Sequence, residues 1–271
     1  MNQQFDIIIV GDSKHGNETV KYLATVNTKL KIAFISREFK SSTTHDFLNV
    51  EYIKDEVVFT DYRNRLFGCY LKAGDRMYCT HLVIATGLKY APLILNGEPV
   101  PNVFNTAENI DKAAKNQQAI VLGKNDADVK FATAVAKKYK YVYFCTESLS
   151  TPIASANLEK LSKIKNLVIL PNTSITKVVV PNNALSSVEL SNYSTLTCSA
   201  IYIKTESTPE VDFISDKLIS RDELGYLKTT NNLQSLLVPK CFAIGNCTSK
   251  STQKMKLAMC ESILNDFIGG N

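Results

Sequence analysis

Apolar and polar positions alternate along the chain in two registers that repeat. Residues 5–16 read FDIIIVGDSKHG, with the β-branched run Ile7 to Val10 ending abruptly at Gly11. Such a run predicts a buried strand. In residues 17–26, Val20, Leu23 and Ala24 fall on one face, the spacing of a helix laid on a sheet. Residues 29–36, KLKIAFIS, predict a second strand, so the opening of the chain is one βαβ unit. A polar Ser/Thr-rich loop is expected over residues 39–46. After it, residues 50–88 read as a small antiparallel meander with a turn at Ala73-Gly74-Asp75, ending in the buried strand His81 to Ile84 and then Ala85-Thr86-Gly87. Residues 117–148 repeat the opening pattern: a strand at 119–122, a turn at Gly123, a helix at 129–138 and a strand at 141–145. Short strands are expected at 167–170, 175–180, 187–190 and 200–203.

Composition narrows the classes. The 271 residues are 45% hydrophobic and 21% charged, with net charge +5 spread along the chain. No basic run with interleaved aromatics is present, so no nucleic-acid partner is expected. No apolar stretch reaches the roughly 18 residues that span a bilayer, and MNQQFDIIIV lacks the basic start of a secretion signal. The seven cysteines form no C-x-x-C pair and their odd number argues against a disulfide framework. Reduced, buried thiols in a cytoplasmic protein are expected. The three histidines, His15, His45 and His81, lie far apart, so no metal site is expected.

The candidate chemistry starts at the first strand end. A strand, a tight glycine turn and a helix N-terminus make the geometry that holds a dinucleotide pyrophosphate. The fingerprint is G-x-G-x-x-G; here it reads Gly11, Asp12, Ser13, Lys14, His15, Gly16, with serine at the middle glycine. Lys14 puts positive charge where an anion would lie, and beside it His15 is either a cation for a phosphate or a half-exposed turn histidine. The second strand of such a unit usually ends in an acid for the ribose hydroxyls; here Ser36 stands there, followed by Arg37 as a candidate phosphate contact and by Glu38. The repeat is poorer. It reads Gly123, Lys124, Asn125, Asp126, Ala127, Asp128, keeping one glycine and placing an acid where it would repel a diphosphate.

Residues 82–87, LVIATG, with Pro92 shortly after, resemble the second flavin-domain motif of the thioredoxin reductase and pyridine nucleotide-disulfide oxidoreductase group. Residues 97–110 are similar to the linker that follows it there. Residues 238–247, VPKCFAIGNC, resemble the last flavin motif, and 254–267 the closing helix. Residues 222–229 resemble the hairpin that precedes it. The resemblance implies an α/β fold of two Rossmann-like dinucleotide-binding domains, the second inserted into the first, with small antiparallel β-meanders. The implied FAD domain is 1–112 with 236–271, and the NAD(P)-binding-like domain is 113–235. It implies FAD held by Gly11, Ser13, Lys14, His15, Gly16, Ser36, Arg37, Thr86, Gly87, Gly245 and Asn246, the last in place of the family aspartate. It also implies a small-molecule or redox-protein electron acceptor and a homodimer. Neither the stretch 104–119 nor 17–46 contains the cysteine pair of the family's disulfide reductases. Two readings follow. One is a divergent FAD-dependent oxidoreductase without a catalytic disulfide and with impaired NAD(P)H binding. The other is a non-catalytic relative acting as a flavin-binding sensor or protein-interaction subunit.

Overall fold

The computed structural model describes residues 2–39, 47–106, 115–146, 153–249 and 253–268. The loop expected over residues 39–46 and the linker over 97–110 therefore lie partly outside the described residues. The chain divides into two compact units, one of residues 1–89 with 207–271 and one of residues 90–206.

The first unit is built on a seven-stranded sheet. Its strands are β1 (Asn2–Val10), β2 (Ile32–Ser36), β3 (Val50–Lys54), β4 (Val57–Arg63), β5 (Leu66–Leu71) and β6 (Arg76–Ile84), in the order β3-β2-β1-β6-β5-β4; the strand Cys241–Ala243 also pairs with β6. β1 is parallel to β2, with Ile9 opposite Phe34, and parallel to β6, with Ile9 opposite Val83. Alternation along β1 explains why it reads as a continuous apolar run. Ile8 and Val10 enter one core with Ile35, Leu82 and Ala243, whereas Ile7 and Ile9 enter another with Phe34, Leu23 and Ile263. A strand covered on both faces has no solvent side to mark with polar residues. Truncating any of these isoleucines to alanine should cost about 2–5 kcal/mol.

The sequence reading is corrected at β3. It was expected to run into β4 as one piece of an antiparallel meander. Instead β3 lies parallel to β2, with Ala33 opposite Glu51. Asp55 breaks the run because its amide donates to Ser36 O at 3.0 Å and its side chain accepts from Glu56 N. Only β4, β5 and β6 form the meander, and they extend the main sheet rather than a separate one.

Helix α1 (Lys14–Val26) and helix Gln253–Ile268 cover one face of this sheet, burying Val20, Leu23, Met259 and Ile263. The opposite face is covered by Val211, Phe213, Ile214, Leu218, Ile219 and Leu227. Residues 207–235 therefore belong to the first unit, although the sequence reading had drawn the boundaries at 112/113 and 235/236. Residues 222–229 lie in a short hairpin in which Arg221 pairs antiparallel with Leu227 and Asp222 N donates to Tyr226 O at 2.9 Å, its turn closed by Asp222 Oδ1 accepting from Leu224 N and Tyr226 N.

The second unit has a parallel five-stranded sheet in the order Val103–Phe104, Ala200–Ile203, Gln118–Gly123, Tyr141–Thr146, Leu167–Leu170. Helices Asp126–Ala136 and Ser155–Ser162 pack on one face. A three-stranded antiparallel sheet, Ile175–Val179, Ser187–Leu190 and Thr195–Thr197, supplies the core on the other.

Candidate functional site

The candidate site of the first unit lies at the carboxyl ends of β1 and β6. Gly11 N donates to Ile35 O at 2.9 Å and Ala85 N to Val10 O at 2.7 Å, which locks the strand ends side by side. Gly11 takes φ +107°, and a Cβ there would stand 2.5 Å from Thr86 Cα and 2.6 Å from the Ala85 carbonyl. Only glycine satisfies both constraints. At Gly16 a Cβ would meet Gly11 O at 2.3 Å, so the helix can approach the strand only without a side chain. Gly11 and Gly16 thus do the backbone work of the first and third fingerprint glycines.

Ser13, at the middle position, is the N-cap of α1. Its Oγ accepts from Gly16 N at 3.1 Å, satisfying one of the N–H groups a helix start leaves open. The adjoining turn is held by Asn17, whose side-chain amide donates to Ser13 O and to Asp12 Oδ1. Below it, Glu18 pairs with Lys256, which is buried on the closing helix; this hydrogen bond holds the Glu18 carboxyl below the usual carboxylate range. The His15 ring rests on Gly245, where a Cβ would come within 3.0 Å of His15 Cδ2. His15 thereby joins the first loop to the Gly245-Asn246 turn that follows strand Cys241–Ala243. Gly245 also has positive φ, +82°.

Thr86 and Gly87 continue from β6. The Thr86 hydroxyl oxygen is buried and has no hydrogen-bond partner among the described residues. Gly87 adopts φ +77°, with no other heavy atom within 4 Å of where its Cβ would be. An orphaned hydroxyl and an open backbone cradle beside Gly11 are what a bound polar group would complete. The residues present therefore fit a diphosphate-bearing cofactor.

Ser36 and Arg37 stand apart at the end of β2. Ser36 Oγ donates to Glu38 O at 2.9 Å. The Arg37 guanidinium pairs with Glu210 and lies 3.8 Å from Glu56. Glu210, Glu18 and Lys256 were not among the candidate site residues read from the sequence; each sits far from its partner in sequence, and no local motif marks it.

The corresponding loop of the second unit is filled from within. Gly123 is needed because its Cβ would fall 2.1 Å from the Phe144 ring. Asn125 caps the helix by accepting from Ala127 N at 2.9 Å. The Asp128 carboxylate is buried and accepts from Lys124 N at 2.8 Å and Asn125 N at 3.1 Å. Asp128 was read from the sequence only as a repulsive charge. The spacing Asn-x-x-Asp at a helix start also signals a capping box, and that is the geometry it adopts.

All seven cysteines are free and buried. Burial pushes the Cys247 thiol up to about 11, and its Sγ donates to Ile244 O at 3.3 Å. Cys145, Cys198, Cys241 and Cys260 are pushed up to about 12 by burial. A neutral, buried thiol is a poor nucleophile.

Solved structures similar to this chain carry the same architecture. The thioredoxin reductase of T. acidophilum superposes with TM-score 0.67 at 16% identity, covering 98% of this chain and 99% of that one. The Lactococcus lactis thioredoxin reductase, in its FR conformation, gives 0.66 at 16% identity over 98% and 99%. That of Streptococcus pyogenes gives 0.64 at 16% identity over 99% and 100%. No curated protein matches the sequence. The sequence itself matches the family described as pyridine nucleotide-disulphide oxidoreductase from residue 3 to residue 261. That span takes in both glycine loops, the Thr86-Gly87 turn and the Gly245-Asn246 turn, and the chain belongs to the pyridine nucleotide-disulphide oxidoreductase family.

Proposed function

We propose that this chain is an FAD-dependent oxidoreductase whose first unit holds the flavin, and which neither carries a catalytic disulfide nor binds NAD(P)H tightly. The observation that carries the reading is the inequality of the two glycine loops. The first keeps both backbone glycines and leaves the Thr86 hydroxyl without a partner among the described residues. The second spends its loop N–H groups on the Asp128 carboxylate. Gly11, Ser13, Lys14, His15 and Gly16 would hold the diphosphate, and Gly245 and Asn246 the ribityl chain, Asn246 accepting through its side-chain oxygen. Thr86 and Gly87 would border the same cleft.

Bound flavin would supply a ring that accepts and gives hydride or single electrons. The protein's part is to position that ring and to exchange electrons with a small molecule or a redox protein, since all seven of its thiols are free and buried. A homodimer accompanies this reading by family likeness. So does a cytoplasmic location, which suits seven unpaired cysteines. Among the described residues no helix is long and apolar enough to cross a membrane. The closed second loop also favours a second reading, a non-catalytic relative that senses flavin or serves as an interaction subunit.

The test is spectroscopic. The purified chain should show flavin absorption or take up added FAD, and the bound flavin should bleach slowly or not at all when NADH or NADPH is added without oxygen. A colourless protein that takes up no FAD overturns the oxidoreductase reading. Rapid bleaching overturns the loss of NAD(P)H binding.

A further inference from the structure

We infer that Glu210 is the acid that recognises the adenosine ribose in the first unit, with Arg37 as its positioning residue; this rests on the proposal that the first unit holds a dinucleotide. The usual place for that acid, the end of β2, is occupied by Ser36, whose hydroxyl proton is turned to Glu38 O at 2.9 Å. Glu210 arrives from the opposite side. Its amide donates to Gly87 O at 3.0 Å, just beyond β6, and its carboxylate reaches Arg37, just beyond β2. In the strand order β2-β1-β6 those two anchors flank β1. Both anchors follow the carboxyl ends of strands that pair with β1, so Glu210 stands on the carboxyl-end side of this part of the sheet. The crevice outside the carboxyl ends of parallel strands is where nucleotides lie in such sheets.

The chemistry suits a cis-diol. An ionised carboxylate offers only acceptors, and two ribose hydroxyls offer two donors. A bare carboxylate near a diphosphate would repel it. Here the Arg37 guanidinium offsets that charge, and a second carboxylate, Glu56, 3.8 Å away, is itself met by Lys72 at 3.1 Å. Glu210 is about three-quarters covered, at 24% side-chain exposure, so the acceptor is held rather than waving in solvent.

The test uses the full chain loaded with FAD, with ADP and 2′,3′-dideoxy-ADP as displacing probes, read by the fluorescence of released flavin. In the wild type, ADP should displace FAD at least about tenfold better than the dideoxy compound, since each charge-assisted hydrogen bond lost is worth about that factor. Glu210→Gln should bring the two nucleotides to within about twofold, Arg37→Met should reduce the preference, and Arg37→Lys should restore part of it. Circular dichroism melting of each variant separates this from misfolding. If the wild type binds FAD and Glu210→Gln keeps the tenfold preference, the ribose assignment is wrong while flavin binding stands. If Glu210→Gln or Glu210→Ala binds FAD more tightly than wild type, the residue is a strap over the crevice and the assignment is again wrong. If the wild type takes up no FAD, both proposals fall together.

Discussion

The two glycine loops begin alike and end differently. Each follows a buried parallel strand, needs its first glycine for steric reasons and leads into a capped helix. In the first, the N-cap Ser13 takes the N–H of Gly16. In the second, Asn125 and Asp128 together take the N–H groups of Ala127, Lys124 and Asn125. A helix N-terminus attracts negative charge through its open N–H groups and its dipole. The second unit meets that demand with its own carboxylate, and the first leaves more of it for a ligand. A domain can thus keep its nucleotide-binding fold while its sequence supplies the anion.

The first way to break this comparison is at the glycines. Gly11→Ala must place a Cβ against backbone atoms of Ala85 and Thr86 at a positive φ. Backbone cannot swing aside, so a loss of about 3–5 kcal/mol is expected. Gly123→Ala meets only the Phe144 ring, a side chain that can shift at the expense of its packing. Overpacking of that kind costs about 1–3 kcal/mol. Urea denaturation followed by circular dichroism should rank them in that order. Equal losses would mean that the two strand–helix junctions are equally rigid.

What the sequence could say about these loops follows from how local each feature is. The run Ile7 to Val10, Gly11 and Gly16 lie within ten residues, and their pattern alone gives strand, turn and helix. Asn125 and Asp128 lie three apart, so the capping box was readable beside the charge repulsion that was read. Arg37 and Glu210 are 173 positions apart, and Glu18 and Lys256 are 238 apart. No periodicity links such pairs; only the fold brings them together. The same holds for the domain boundary. Val211, Phe213, Ile214, Leu218, Ile219 and Leu227 cover the first sheet from a stretch with little regular structure, and irregular segments carry neither a 2.0 nor a 3.6 period to read.

A second, smaller effect sharpens the contrast by removing the caps. Asp128→Ala frees two loop N–H groups and deletes a buried carboxylate oxygen that has no partner among the described residues. The net loss should be about 1–2 kcal/mol. Sulfate should then restabilise the variant more than the wild type, because an external anion can take the vacated N–H groups. Ser13→Ala should cost about 1 kcal/mol or less, as one cap bond is lost. Identical responses to sulfate in Asp128→Ala and wild type would show that the carboxylate does not stand in for a ligand anion.

The smallest expected effect concerns charge beneath the first loop. Lys256 is buried, and its hydrogen bond to Glu18 lowers the carboxyl from its ordinary 4.5 against the opposing effect of burial. A carboxyl whose folded-state value is depressed binds protons less readily folded than unfolded. Its contribution is present in full above about pH 4.5 and is lost as the pH falls through the lowered value. Glu18 is more than a third exposed, so solvent screening limits the pH-dependent part to a few tenths of a kcal/mol. Glu18→Gln should be measurably less stable than wild type at pH 7, where it leaves the Lys256 ammonium facing a neutral amide. The difference between their urea midpoints should narrow as both are taken down through pH 4. A gap between Glu18→Gln and wild type that stays constant from pH 7 to pH 3 would show that Glu18 acts through packing alone. The Lys256 charge would then have no part in holding α1 against the closing helix.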